Sequence, residues 1–310
     1  MGGLRGADGI IGYDRLYPSD RAYIAVVRHP GFLAAVNMLL QSAAYALMDR
    51  GHLFVDFSRA PFDMTDVFKA RFAGPEAYDQ RRYARVSHLS KKFDSELWDA
   101  MREHMRRAIA EGAACDLPEI GFSGDVEALV ARLADALFDP VEEVRAAVDA
   151  AVRELGLGQE PYAAFHVRRG DKVNGFVGRK GKVWIEGELV PLDAYVARLR
   201  AIAPSVSRVF LMTDDYGAYE EAVASFPDLR FVTLCPPTAR GYDQVEHNAS
   251  EESRQIENRR SVVRDIAIAR GAEVFVGAYL SNVSLFVHAL RGGRYDRSAS
   301  ADSAQRWGFI

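Results

Sequence analysis

Between Tyr162 and Lys172 the chain reads Tyr-Ala-Ala-Phe-His-Val-Arg-Arg-Gly-Asp-Lys. The apolar run ending in Phe165-His166-Val167 predicts a buried strand, and it stops abruptly at Arg168, Arg169, Gly170, Asp171 and Lys172. Charged side chains around a glycine at a strand's carboxyl end stand where open α/β sheets hold their ligands. Two adjacent arginines suit a diphosphate, because each planar guanidinium offers forked donors to phosphate oxygens and stays protonated. The same residues fit a solvated turn or an Arg–Asp structural pair. Arg169-Gly170-Asp171 also spells an adhesion tripeptide, in a chain with no other extracellular feature.

Two further strand exits are polar. Val209-Phe210-Leu211-Met212 runs into Thr213-Asp214-Asp215, and Val274-Phe275-Val276 runs into Gly277-Ala278-Tyr279-Leu280-Ser281-Asn282. Ser281 is placed to cap the last helix, whose free amides would then face an anion. One basic, one acidic and one small polar strand end on a single sheet make a nucleotide pocket. Taken singly, Thr213-Asp214-Asp215 and Ser281 also fit plain helix capping. Asp214 and Asp215 are adjacent rather than alternating, so on an extended chain they point to opposite faces and make a poor metal pair. Asp265 sits in an apolar helical stretch beside Arg264. It belongs either to that helix's polar face or to a ligand, and a carboxylate accepts well from the ring N–H and amino group of a guanine.

Other chemistries are absent from the pattern. No glycine-rich dinucleotide fingerprint follows a strand, and there is no P-loop and no nucleophile elbow. The seven histidines are scattered, and a histidine inside a strand, such as His166, is ordinarily a satisfied core residue. Cys115 and Cys235 are far apart, which suits a reducing compartment rather than a disulfide framework. A net charge of −4 excludes bulk attraction to nucleic acid or membrane. The N-terminus lacks a signal-peptide core, and the most apolar segment, 31–48, carries Asn37, Gln41 and Ser42 and reads as a buried helix. A cytoplasmic, bacterial protein is the expectation.

The elements that position these residues follow from periodicity and breakers. At 310 residues, with 49% hydrophobic and 26% charged, a globular chain of two domains is expected. Strand 23–27, helix 31–50 and strand 52–57 form a βαβ unit and imply a parallel sheet. Residues 60–95 show no clean period and read as loops and short helices. Helices are expected over 95–110, 126–137 and 140–155, the last opened by Pro140 and closed by Gly156 and Gly158. Beyond it the pattern is repeated β-loop-α: strand 162–167, a Gly/Lys-rich stretch at 174–182, helix 191–202, strand 208–212, helix 216–225 and strand 230–234. A polar loop at 236–251, helix 256–270, strand 273–276 and helix 282–290 complete it. This is a doubly wound second domain, with the boundary near residue 157, giving domains 1–157 and 158–310.

His166-Val167-Arg168-Arg169-Gly170-Asp171-Lys172-Val173 closely resembles the signature of the α1,6-fucosyltransferases. The order of the later motifs is similar as well. Residues 209–215 resemble the family's strand ending in Thr-Asp-Asp, and Phe226-Pro227-Asp228-Leu229-Arg230-Phe231 resembles its Tyr-Pro-X-X-X-Phe. Asp265 lies where the family has a helix Asp, and Ser281-Asn282-Val283 where Ser-Gln-Val is typical. The likeness covers about residues 160–292. The first half matches only in outline, through a Gly31-Phe32 turn opening an Asn/Gln-bearing helix and a strand ending in Val55-Asp56.

The resemblance implies an α/β, GT-B-like fold of two Rossmann-like doubly wound domains facing a cleft. It implies GDP-fucose as donor, a glycan or glycoconjugate hydroxyl as acceptor, inversion at the anomeric carbon, and no metal or cofactor. By the same resemblance Arg168 binds the β-phosphate and stabilises the leaving GDP, while Arg169, Asp171 and Lys172 hold the loop and donor. His166 and Asp265 read guanine, Ser281, Asn282 and Val283 line the diphosphate, and Asp214, Asp215 and Tyr195 complete the donor site. The family's catalytic Glu lies five residues before the Pro opening the next helix. That gives Glu186, with Tyr195 matching the helix Tyr, Lys172 assisting, and Glu188 the rival for the base. Three departures stand out: Gly170 replaces a Thr, the stretch between Val173 and Pro191 is longer, with Gly175, Gly178 and Gly181 suggesting a hairpin, and the base is therefore placed by a choice of two. The α1,2-fucosyltransferases share His-X-Arg-Arg-Gly-Asp but follow it with Tyr where this chain has Lys172. A non-catalytic GDP-sugar-binding protein is the third reading.

Overall fold

The computed structural model describes residues 4, 8–11, 19–28, 31–90, 94–170, 176–177, 183–184, 189–294 and 296–302. The chain divides into two compact units, Met1–Val141 with Arg306–Ile310, and Glu142–Gln305. The division falls before helix Glu142–Glu154, whereas the sequence placed that helix with the first domain.

The first unit holds β1 (Ile10–Ile11), β2 (Arg21–Val26), α1 (Phe32–Met48), β3 (His52–Asp56), β4 (Arg71–Phe72), β5 (Arg85–His88), α2 (Ser95–Ala110), β6 (Ala114–Leu117), β7 (Phe122–Asp125) and α3 (Val126–Leu137). Its main sheet is parallel, in the order β3-β2-β5. The expected βαβ unit is present as β2, α1 and β3. Its third strand, β5, lies in the stretch read as loops. Arg85, Val86 and His88 are all exposed there, so no apolar alternation marks it as a strand. The antiparallel pair β6–β7 was likewise unmarked. Aspartates open the helices as capping chemistry predicts: Asp94 accepts from Leu97 N–H and Asp125 from Ala128 N–H.

The second unit holds α4 (Glu142–Glu154), β8 (Ala163–Val167), β9 (Phe176–Val177), β10 (Val183–Trp184), α5 (Leu192–Ile202), β11 (Arg208–Thr213), α6 (Tyr216–Ser225), β12 (Arg230–Val232), α7 (Gln244–Ala249), α8 (Glu252–Arg270), β13 (Val274–Gly277), α9 (Asn282–Leu290) and β14 (Ser298–Ser300). The polar loop expected at 236–251 contains α7. Strand β14 is Ser-Ala-Ser, small and polar, and was not legible as a strand, yet Ser298 is fully buried. The backbones of β9 and β10 pair antiparallel, within the stretch whose glycines suggested a hairpin.

Five strands form one sheet in the order β12-β11-β8-β13-β14, and every pairing is parallel. Counted along the chain this is 3-2-1-4-5, a doubly wound order. The α/β class expected from the sequence is borne out here. Side chains alternate across the sheet. Ala163, Phe165 and Val167 join Val209, Leu211, Val274 and Val276 on one face, against Leu192, Tyr195, Val196 and Leu199 of α5 and Ala218 and Ala222 of α6. Ala164, His166, Phe210 and Phe275 occupy the alternate positions and are buried too. On that side α8 packs on β8, β11, α4 and α9. Burial on both faces explains why β8, β11 and β13 read as continuous apolar runs rather than alternating ones. Arg291 holds the end of α8, donating to the carbonyls of Ala269, Arg270 and Ala272.

Among the described residues, no helix is long and apolar enough to cross a membrane.

Candidate active site at the strand ends

Strand β8 is central, flanked by β11 and β13, with His166 in register with Met212 on one side and Gly277 on the other. The chain therefore leaves β8 at Arg168 beside the exits of both neighbours. Strand order reverses across β8, so the crevice of a doubly wound sheet opens at these carboxyl ends.

Asp214 organises the exits. Its Oδ1 accepts from the Arg169 N–H at 2.8 Å, and its Oδ2 accepts from the Gly170 N–H at 3.0 Å and the Tyr242 N–H at 3.1 Å. The Arg168 Nε lies 3.2 Å from the same Oδ2. The Gly241 N–H donates to the Asp214 carbonyl at 2.9 Å. Both oxygens of this carboxylate are engaged by the chain's own loops. Asp215 turns away from it and caps α6, accepting from the Gly217 N–H at 2.8 Å. Opposite directions for the two acids are what adjacency on an extended chain predicts.

The two arginines part company. Arg168 lies beneath the Tyr242 ring, with its Cζ 4.7 Å from the ring centroid. Arg169 pairs with Glu221 of α6 at 2.8 Å. Both guanidinium side chains are largely buried, at 19% and 16% exposure. The loop that brings Tyr242 fits only because two glycines meet. A Cβ on Gly170 would stand 2.2 Å from the Tyr242 carbonyl oxygen and 2.4 Å from its nitrogen. Gly241, at φ +94°, is in the left-handed region, and a Cβ there would stand 2.8 Å from the Gly170 Cα. The Tyr242 ring also contacts that of His247, whose imidazole is held below its ordinary value by burial and then by Arg259 and Arg254.

On the other flank, the His166 Nδ1 lies 2.7 Å from the Ser284 Oγ, tying β8 to the first turn of α9. Gly277 permits this approach, since a Cβ there would meet the Ser284 Oγ at 2.5 Å. Ser281 is the residue preceding α9, but its side chain makes no capping hydrogen bond, contrary to the expectation. Instead Ser281 is buried, and Asn282 and Val283 form the first turn beside it. The backbone before it is anchored from beyond β14: the Asp302 carboxylate accepts from the Tyr279 and Leu280 N–H groups.

Asp265 is mostly buried on α8 and bonded to Arg264 at 2.8 Å. Burial raises its carboxyl above the ordinary value, with Arg264 opposing. It neighbours the acidic strand end: burial pushes the Cys235 thiol up to about 11, and Asp214, Asp215 and Asp265 all add to that rise.

The structure thus brings His166, Arg168, Arg169, Asp214 and Asp215 to the strand ends with Ser281, Asn282 and Val283, and sets Asp265 near by. Tyr195 does not join them. It is 1% exposed in the core, its ring 5.7 Å from that of Phe165, and burial raises its phenol. Asp171, Lys172, Glu186 and Glu188 lie outside the described residues. Among the described residues, no three of His, Cys, Asp and Glu gather as a metal site. Sequence reasoning missed Tyr242, Gly241, Ser284, Glu221 and Asp302. Only Gly241 carried a signal, as a glycine inside a polar loop.

No family model matches the chain, and no curated protein does. Solved structures similar to it include a NodZ α-1,6-fucosyltransferase soaked with GDP-fucose, at 17% identity over 88% of this chain and 93% of that one, TM-score 0.44. An Arabidopsis thaliana FUT1 variant in complex with GDP is 12% identical over 86% of this chain and 68% of that one, TM-score 0.46. POFUT1 in complex with GDP is 13% identical over 92% of this chain and 98% of that one, TM-score 0.44.

Proposed function

We propose that the chain is an inverting, metal-independent fucosyltransferase that binds GDP-fucose at the strand ends of its second unit and passes fucose to a glycan or glycoconjugate hydroxyl. The observation that carries this reading is the place of Arg168. It leaves the central strand of a 3-2-1-4-5 sheet beside the exit of β13, the strand that leads through Ser281 into the first turn of α9. A guanidinium and a helix N-terminus converging on one crevice are suited to a diphosphate. The motif order from Arg168 to Val283 supplies the sugar nucleotide's identity by resemblance.

In the proposed reaction the acceptor hydroxyl gives its proton to Glu186, with Glu188 as the rival, and its oxygen attacks the anomeric carbon. The bond from that carbon to the β-phosphate oxygen breaks with its electron pair leaving on GDP. Arg168 stabilises the charge that develops there. A positioned carboxylate base contributes about 10²–10⁴ in rate. Asp265 and His166 read guanine, and Lys172 and Asp171 hold the donor loop.

Calorimetric titration with GDP in EDTA, with ADP and UDP as controls, tests the reading. Micromolar GDP binding that Arg168→Ala weakens, with no response to ADP or UDP, is expected. Absence of GDP binding to the wild-type chain refutes it, and an unchanged affinity in Arg168→Ala removes that residue from the pocket.

A further inference from the structure

Arg168 has a long side chain with four rotatable bonds, and a phosphate contact made by such a chain depends on what holds it still. Two groups do. Asp214 meets its Nε at 3.2 Å, and the Tyr242 ring covers its guanidinium at 4.7 Å. Asp214 sets a charge beside the Nε edge without a hydrogen bond to it. The ring bounds the guanidinium on one face, and a guanidinium held against an aromatic face keeps its donors for partners at its edge.

Tyr242 reaches Arg168 by a built route. Residues 236–243 cross back over the β8 exit as a strap. Asp215 and Arg240 form an isolated antiparallel bridge, the Tyr216 N–H donates to the Ala239 carbonyl, and the Gly241 N–H donates to the Asp214 carbonyl. Gly241 then lies directly on Gly170, and the Tyr242 N–H closes on the Asp214 carboxylate. Beyond it, Asp243 opens α7 by accepting from the Val245 and Glu246 N–H groups, and the His247 ring lies 5.3 Å from that of Tyr242. Backbone fastens the strap on both sides of Tyr242, so the ring's contacts, with Arg168 and with His247, can be removed without cutting it.

We propose that Tyr242 is a positioning residue for Arg168, holding its guanidinium in the plane in which it meets the terminal phosphate of a nucleoside diphosphate. The inference rests on the reading that Arg168 binds the β-phosphate. It predicts that the ring acts on the diphosphate and not on the nucleoside, so GDP and GMP report differently.

The test is calorimetric titration of the wild-type chain, Tyr242→Phe, Tyr242→Leu and Tyr242→Met with GDP and with GMP. Tyr242 is only half-buried, so the aliphatic variants keep the strap's backbone bonds and the fold. A desolvated cation–π contact corresponds to about a tenfold change in affinity. Expected is a fall of about tenfold for GDP in the Leu and Met variants, GMP affinity within about twofold of wild type, and a wild-type GDP-to-GMP ratio in Tyr242→Phe. A purely structural role lowers both ligands together, and a bystander ring moves neither; both outcomes overturn the proposal, as does loss of the ratio in Tyr242→Phe. If the wild-type chain binds GDP no better than GMP, the β-phosphate reading itself fails and this inference falls with it.

Discussion

Replacing Asp214 with alanine removes the acceptor of three backbone N–H groups, those of Arg169, Gly170 and Tyr242, and the ionic partner of Arg168. A hydrogen bond to a charged acceptor contributes about 1.5–3 kcal/mol, and a buried donor left unmet costs about 1–3 kcal/mol. The carboxylate side chain is 14% exposed, so water re-solvates part of the vacated site. Taking the low end for each amide gives a loss of about 3 kcal/mol. In a unit the size of Glu142–Gln305 that lowers Tm by about 6–12 °C. Asp214→Asn separates the roles. With its amide oxygen in the Oδ2 position it still accepts from Gly170 and Tyr242, and only the Arg169 N–H then faces a donor, so it removes the charge beside Arg168 and loses less stability than alanine. Differential scanning calorimetry measures both variants, and GDP titration of the same samples reads the loop. A Tm fall under about 3 °C in both would show that Asp214 does not clasp the loops. A loss of GDP affinity with full thermal stability would leave it only an ion partner of Arg168.

Three further outcomes are expected, the first two from the geometry and the third from the proposed function. Because burial raises the Asp265 carboxyl, the native state holds its proton to higher pH than the unfolded chain does, and this group's contribution to stability falls as pH rises through that window. Asp265→Asn should therefore gain stability relative to wild type as pH rises above the ordinary carboxyl range in urea unfolding, and lose preference for GDP over ADP; a pH-independent difference refutes the first and retained preference the second. Gly277→Ala would place a Cβ 2.5 Å from the Ser284 Oγ and 2.7 Å from the Phe275 ring, and should lose about 1–3 kcal/mol by chemical denaturation, with an unchanged midpoint counting against the tight α9 approach. Glu186→Gln should abolish fucosyl transfer with GDP binding intact while Glu188→Gln transfers normally, and the reverse pattern in a radiolabelled transfer assay moves the base to Glu188.

The parts of the fold that were legible share one property: their local pattern and their tertiary role agree. Strands β8, β11 and β13 are buried on both faces, so composition alone announces them. Helix α3 carries its own cap at Asp125, and α5 follows directly on Pro191. What escaped was held by neighbours. The exposed strand β5 is a strand because β2 supplies its hydrogen-bond partners, and β14 because β13 does. Pro140 read as the first turn of α4, but it bridges to Phe68 and the helix starts at Glu142.

The site divides along the same line, and Gly170 shows why. A sequence compared with a family motif registers this glycine as a departure, because the family carries Thr there. The structure gives the departure a local cause: a side chain at 170 would occupy the space of the Tyr242 backbone, 2.2 Å from its oxygen. The partner residues lie some seventy positions downstream, in a loop whose composition says only that it is polar. Asp214 was legible as a polar strand end, but not as the clasp on residues 169, 170 and 242, because hydrogen bonds across the sheet exits leave no periodicity. Local sequence marked the exits. The long-range backbone contacts that set Arg168 against the Tyr242 ring and turn Asp214 and Asp215 onto their own scaffold are made only when the loops meet. The glycine that looked like a loss of motif is, in this chain, the condition for the strap to reach Arg168.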